Sequence, residues 1–295
     1  MNIDGLFLTL VLPAPNGCNL KCPFCAIEER GEAHGSSLVD VHYMHFVEDV
    51  ATHMPVTRLS LQGYEPLLPE VWDLSRCLLQ LADRYDLETG LVTNGTYLAE
   101  YAKELSGLAD LIAISIDSDR PEVHDRLRGV PGAFQKTLQG LYEAVKHFND
   151  AISVNSVLFP KREHYLDGMP ELLSRAGVTS WVISPLIDFR NGRYRIELDD
   201  LQRILLEFTL RAKKLGVDTY LGDELRRFDA QNLYQVLSVA ALERSEFVVR
   251  LSPDGTCSRG REILAPSAQA PVWDTRELPH IFLERILAEL GHTVA

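Results

Sequence analysis

Residues 17–25 read Gly17-Cys18-Asn19-Leu20-Lys21-Cys22-Pro23-Phe24-Cys25, soon after an apolar run at Leu6–Val11. The spacing Cys-x3-Cys-x2-Cys gathers three thiols on one tight loop that follows a strand. Gly17 and Pro23 suit the sharp turn that such a loop requires. Three thiolates can hold three corners of a cuboidal iron–sulfur cluster and leave one iron open to another ligand. A structural zinc site wants four ligands, usually as two close pairs, so it would have to recruit a residue such as His34. A redox pair needs only Cys-x-x-Cys and would leave Cys18 idle. Asn19 and Lys21 argue against three buried thiols acting as small hydrophobes.

Outward from this loop, short apolar runs alternate with longer amphipathic stretches. The runs are Leu6–Val11, Val56–Leu61, Glu88–Thr93, Leu111–Ile116, Ile152–Leu158 and Ser180–Ile183. Helical periodicity occupies Val39–His53, Glu70–Tyr85, Leu98–Leu108, Gly132–Phe148 and Tyr165–Arg175. Gly107 and Gly177 supply helix stops. Six such rounds predict an α/β fold with a parallel sheet and helices outside it, either curled toward a barrel or left as an open doubly wound sheet. After Pro185 the rhythm changes. Helices are expected at Asp199–Leu215, about Glu224–Leu242 and about Pro279–Leu290, with strands at Val217–Leu221 and Phe247–Leu251. Residues 1–198 therefore read as the core, and residues 199–295 as an α/β extension that packs on it.

The chain has 295 residues, 46% of them hydrophobic and 24% charged, enough for a large core and incompatible with global disorder. Its 29 basic against 42 acidic residues give a formal charge of −13. That argues against nucleic acid or an anionic membrane as the main partner. The first apolar run is too short to span a bilayer and lacks a basic flank, so no membrane segment or signal peptide is expected and a cytoplasmic location follows. Five cysteines are too few for a disulfide scaffold.

The cysteine spacing is that of the cluster motif of the radical S-adenosylmethionine (SAM) superfamily, and Phe24 matches the aromatic that precedes its third cysteine. The resemblance continues in order over roughly residues 5–190. Gly63-Tyr64-Glu65-Pro66 resembles the family's GGEP motif, with Tyr64 in place of the second glycine. Thr93-Asn94-Gly95, Ile114-Ser115-Ile116-Asp117, Arg126-Leu127-Arg128-Gly129 and Val154-Asn155-Ser156-Val157 resemble its later strand-end segments.

The resemblance implies a partial (β/α)6 barrel, a [4Fe-4S] cluster on Cys18, Cys22 and Cys25, and SAM bound to the open iron. It implies reductive cleavage of SAM and hydrogen abstraction from a substrate by the 5′-deoxyadenosyl radical, with an electron from a reductant such as flavodoxin or ferredoxin. By the same resemblance Gly63 and Glu65 lie near the methionine amino group, or Glu65 holds the strand-end loop. Thr93 and Asn94 face the ribose or methionine portion, or form a plain turn. Ser115 with either Arg126 or Arg128 anchors the carboxylate of SAM, since an arginine fork suits a carboxylate. Asn155 and the backbone around Ile183 contact ribose and adenine. Phe24 packs near the adenine or fills the loop.

The substrate is less legible. Phe247–Cys257 resembles the start of a C-terminal auxiliary-cluster module, but no further cysteine follows, so one cluster is expected. Cys257 lies in a polar turn, and a thiol can donate a hydrogen atom to a carbon radical. The leading expectation is thus an isomerase, a sugar or aminoglycoside epimerase of specialised metabolism such as antibiotic biosynthesis, with Cys257 as the donor. The alternatives are a dehydratase or dehydrogenase of a sugar or nucleotide, or a peptide-modifying enzyme. Asp117, Asp188, Asp223 and Glu224 at strand ends would suit a cationic small molecule, while the Arg190–Arg195 loop points toward an anionic group. Cys77 reads as a core hydrophobe. His42, His45 and His53 read as helix-surface residues.

Overall fold

The computed structural model describes residues 2–3, 5–25, 38–148, 150–159, 163–188, 193–194, 198–221, 246–259, 271–289 and 293–294. Strands and helices alternate as the periodicity requires: β1 Gly5–Leu12, α1 Asp40–His53, β2 Val56–Gly63, α2 Pro69–Arg84, β3 Glu88–Thr93, α3 Leu98–Leu105 and β4 Leu111–Ser115. Then follow α4 Pro121–Arg128, α5 Ala133–Phe148, β5 Ile152–Leu158, α6 Met169–Ala176 and β6 Ser180–Pro185. The extension supplies α7 Leu198–Lys214, β7 Asp218–Leu221, β8 Glu246–Leu251, β9 Cys257–Arg259 and α8 Pro279–Glu289. Short strands pair Asn2–Ile3 with Thr293–Val294, and Ile187–Asp188 with Arg193–Tyr194.

One sheet runs in the order β7-β6-β5-β4-β3-β2-β1-β8-β9. Its first eight strands are mutually parallel, and β9 alone is antiparallel. Its two ends do not pair among the described residues, so the barrel is partial and unclosed. The extension does more than pack on the six-stranded core. Its strand β7 adds beside β6, and β8 adds beside β1, so the later part of the chain widens the sheet at both edges.

Side chains alternate across each strand, so the sheet has two distinct faces. Leu6, Leu8, Leu10 and Leu12 of β1 join one core with Tyr43, Phe46, Val47 and Val50 of α1. Leu59 and Leu61, Ile112 and Ile114, Val154, Trp181, Val249 and Leu251 extend this helix-facing layer. Each fully buried leucine in it contributes about 2 kcal/mol of transfer free energy. The opposite, lumen face carries the alternate residues. One row runs Arg250–Thr9–Ser60–Gly90 and another Ser115–Asn155–Val182–Tyr220. A polar inner wall behind an apolar outer layer is the arrangement of a binding barrel.

Some local readings change. Residues 121–128 form a helix, which the Arg-x-Arg-Gly pattern did not announce. Pro121 sits in its first turn, and Gly129 ends it in the left-handed region at φ +73°. The stretch 165–175 is broken: a short 3-10 turn at Glu163–Leu166 precedes α6, which starts anew beyond Gly168 with Pro170 in its first turn. Cys77 is exposed, contrary to its reading as a core hydrophobe, because α2 turns Leu74, Ser75, Leu78 and Leu79 inward instead. His34, Arg190, Arg195, Asp223, Glu224 and the helix expected at 224–242 lie outside the described residues. Among the described residues no helix is long and apolar enough to cross a membrane.

Candidate active site

The three cysteines lie just beyond the C-terminal end of β1, on the rim where parallel-barrel sites form. Four chain segments fix their loop. Gly63 ends β2 at φ +136°, and a Cβ there would stand 2.6 Å from the carbonyl oxygen of Leu12. Only glycine therefore lets β2 end against the start of the cluster loop.

Glu65 is the second brace. Its carboxylate is buried and accepts from Thr93 Oγ1 at 2.6 Å, Asn94 N at 2.6 Å and Leu67 N at 3.1 Å. Burial pushes this carboxyl up to about 7, against those three hydrogen bonds, which favour the charged form. Its acceptors are thus engaged in tying the β2 end to the β3 end.

The Thr93–Thr96 turn is the third brace. Asn94 Nδ2 donates to Asn19 Oδ1 at 2.9 Å and lies 3.8 Å from Cys18 Sγ. Asn19 Nδ2 in turn donates to Thr96 Oγ1 at 2.8 Å. The turn holds itself through Thr96 N and Oγ1 on Asn94 Oδ1 and through Thr137 Oγ1 on Asn94 O. Thr93 and Asn94 therefore shape the first part of the cluster loop.

The fourth brace is the end of α4. Arg128 is buried, its Nε lies 2.7 Å from Asp117 Oδ2, and its Nη1 lies 4.0 Å from Cys22 Sγ. Its guanidinium also sits over the Phe24 ring at 5.5 Å, and Phe24 packs edge-on against Phe159 at 5.0 Å. Lys21 N donates to the Arg128 carbonyl at 2.9 Å. At Gly129 a Cβ would meet Lys21 O at 2.1 Å, so the helix end and the loop are in backbone contact.

These contacts separate the two candidate arginines. Arg128 stands beside the Cys22 thiol. Arg126 is tied to Tyr165 instead, with Nη2 3.2 Å from its hydroxyl and the guanidinium over its ring. Asp117 also takes a definite role: Oδ1 accepts from Val157 N at 2.9 Å, and Oδ2 faces Arg128. A carboxylate so engaged is not offered to a cationic substrate, which corrects that reading of Asp117. Ser115 and Asn155 are neighbours in register on the lumen face, and Asn155 Oδ1 is buried without a hydrogen-bond partner. Such an atom normally has one when a site is filled. The Ile183 side chain is fully buried in the helix-facing layer, so only its backbone is available to a ligand.

The structure does not bring Cys257 to this site. It pairs directly with Leu251, which neighbours Leu10, so all three share the helix-facing side of the sheet. Its thiol is buried in the apolar core that also holds Trp273, and burial pushes its pKa up strongly. A thiol on that side has the sheet between it and a radical in the lumen. The hydrogen-donor role assigned from the polar turn is corrected on this ground: Gly255, Thr256 and Ser258 are polar, but the pairing of β8 with β9 decides where the side chain goes. Cys257→Ala is accordingly expected to leave SAM cleavage and substrate turnover within about twofold and to cost about 1 kcal/mol of stability. Denaturant melts and product assays check this; intact cleavage with loss of product would restore the donor role.

The donor set fits an iron–sulfur cluster. Thiolates about 2.3 Å from a single zinc would lie within about 4 Å of one another. Among the described residues, the only three such ligand atoms within 4.8 Å of one another belong to Asp49, His53 and His280, so the loop thiols stand further apart than one ion allows. Burial pushes the Cys18 thiol up to about 12 and raises that of Cys22 as well. Neither is a ready nucleophile at neutral pH, and a metal would have to displace the protons.

Comparison with known proteins agrees. The family model "Radical SAM superfamily" matches residues 12–200. The AdoMet-dependent heme synthase of Methanosarcina barkeri is 29% identical over 199 residues, which is 64% of this chain and 54% of that protein. The chain therefore spans about half the length of that relative. A probable GTP 3′,8-cyclase of Sulfurisphaera tokodaii is 28% identical over 221 residues, 73% of this chain and 67% of that protein. Among solved structures, anSMEcpe with bound AdoMet and a peptide gives a TM-score of 0.68 at 19% identity over 95% of this chain and 80% of that one. SuiB of Streptococcus suis bound to S-adenosylmethionine gives 0.66 at 13% identity, over 97% and 66%. At those identities the structures speak for the fold alone, while the family match extends from the end of β1 into the start of α7: the chain belongs to the radical SAM superfamily, whose members use a [4Fe-4S] cluster and SAM.

Proposed function

We propose that this chain is a single-cluster radical SAM enzyme that removes a hydrogen atom from a small organic substrate bearing an anionic group. The cluster and SAM, when bound, supply a 5′-deoxyadenosyl radical. The chain's own residues hold and shield that chemistry. Cys18, Cys22 and Cys25 would hold the cluster. Arg128, ion-paired to Asp117, fixes the far side of the loop at Cys22. Ser115 and Asn155, neighbours on the lumen face, with Gly63 at the end of β2, would receive SAM. A small reductase such as flavodoxin or ferredoxin would supply the electron.

The observation that carries the reading is the placement of three spread thiols on the rim of a polar-lined parallel barrel. The anionic class is drawn from the relatives named for GTP cyclisation, and Arg250 is the lumen-face cation on which it is tested. Its side chain is on the lumen face, in register with Thr9, and its Nη1 donates to Ser252 Oγ at 3.0 Å. A guanidinium suits a carboxylate or phosphate through its fork of donors. The relatives named for GTP cyclisation are consistent with an anionic substrate.

Anaerobic reconstitution with iron and sulfide, followed by SAM and dithionite, should release 5′-deoxyadenosine and methionine in equal amounts. An intact cluster with no 5′-deoxyadenosine would overturn the reading and leave a binding protein. For the substrate class, melts of the SAM-loaded protein with GTP, inorganic pyrophosphate and an aminoglycoside are decisive. Stabilisation by the anions that is lost in Arg250→Gln is expected; stabilisation by the aminoglycoside alone would return the cationic alternative.

A further inference from the structure

On the outer, helical layer, α8 packs on α1, and three ligand-type side chains meet where they touch. Asp49 and His53 lie one turn apart on α1, and His280 is in the first turn of α8. A ligand atom from each lies within 4.8 Å of the other two. The pattern is invisible in sequence, because His280 is 231 positions from Asp49.

The contacts among these groups turn both rings toward Asp49. His280 Nδ1 lies 2.8 Å from Asp49 Oδ2, and His53 Nδ1 lies 2.8 Å from the Asp49 carbonyl oxygen. Both Nδ1 atoms therefore face Asp49, and an ion bound between them would take the place of the Nδ1 protons. The two rings are stacked, 4.1 Å apart and 20° from parallel. The Asp49 carboxylate is buried beside them, and Oδ1 is 3.4 Å from the His53 ring. His280 is largely enclosed, while the His53 side chain is 49% exposed at the helix end. His53 is therefore free to make the small swing that brings both nitrogens to about 2.1 Å from one ion.

We propose that Asp49, His53 and His280 form a site for a divalent first-row transition ion of the zinc or nickel class, separate from the cysteine loop. Two imidazoles and one carboxylate suit such ions better than magnesium or calcium, which prefer oxygen ligands. The remaining positions open to water on the exposed side. Bound there, the ion clamps α8 onto the helix that follows the cluster loop, so it is a structural staple for the end of the chain.

The test uses the fully reconstituted enzyme, dialysed anaerobically against buffered micromolar Zn2+, with zinc and iron counted by mass spectrometry. Wild type should retain one zinc per chain beyond its iron, and its melting temperature should rise by a few degrees. His53→Ala, at a half-exposed position that leaves packing intact, should weaken zinc binding at least about tenfold and abolish the thermal shift. His45→Ala, on the same helix but outside the trio, should behave as wild type. Iron should stay constant throughout, which separates this site from zinc capture by the loop thiols. Equal zinc retention by wild type and His53→Ala, or no zinc beyond the iron in wild type, overturns the proposal.

Discussion

Alanine at any one of Cys18, Cys22 or Cys25 is expected to lower 5′-deoxyadenosine formation by about a thousandfold or more. All three sulfurs come from one nine-residue loop, and among the described residues no other thiol is near enough to replace one. Cys77 is exposed on α2 and Cys257 is buried behind the sheet. Losing one thiolate opens a second iron to solvent, and the cluster becomes labile. The measurement is iron and sulfide per chain after reconstitution, beside the nucleoside assay. Cys77→Ala is the control and should match wild type. A single-cysteine variant that keeps its full cluster and its cleavage rate would contradict the assignment.

The second large effect is expected at a residue with no side chain. Gly129→Ala would place a Cβ 2.1 Å from Lys21 O and 2.7 Å from Lys21 C, both backbone atoms that no rotamer change can move. It would also hold alanine at φ +73°, at a cost of about 1 kcal/mol. The clash forces apart the end of α4 and the loop between Cys18 and Cys22, and breaks the Lys21 N to Arg128 O bond. We expect a stability loss of about 3 kcal/mol and cluster occupancy below about half of wild type. Gly132→Ala separates strain from clash. Gly132 has φ +82°, yet an added Cβ meets nothing within 4 Å, so only the strain is felt and the cluster should remain. Denaturant melts and iron content distinguish the two variants; full iron in Gly129→Ala would show that the helix end does not brace the loop.

The sequence discloses the parts of this fold that obey local rules. Strand alternation and apolar periodicity predict all eight of the parallel strands closely, because each is set by burial of a contiguous run. The cysteine loop stands out because its Cys-x3-Cys-x2-Cys spacing is local and resembles a family motif. What fails is whatever depends on register between distant strands. Cys257 sits in a polar turn that suggests access, but pairing with Leu251 sends its side chain into the apolar layer. Asp117 sits at a strand end and suggests a substrate carboxylate, but α4 brings Arg128 onto it. Glu65 shows the same limit. Its position in a motif is plain, whereas its three donors come from Leu67, Thr93 and Asn94, two of them on a different strand end. The Asp49–His53–His280 group needs two helices far apart in the chain, and no local pattern could disclose it.

In the proposed function, three thiolates hold a cluster with one iron open to SAM. Electron paramagnetic resonance of the dithionite-reduced, reconstituted protein tests it most directly, recorded before and after SAM is added. A cubane-type signal of about one spin per chain is expected, with g values that change when SAM binds the open iron. A signal of the same intensity and unchanged g values in saturating SAM would contradict it.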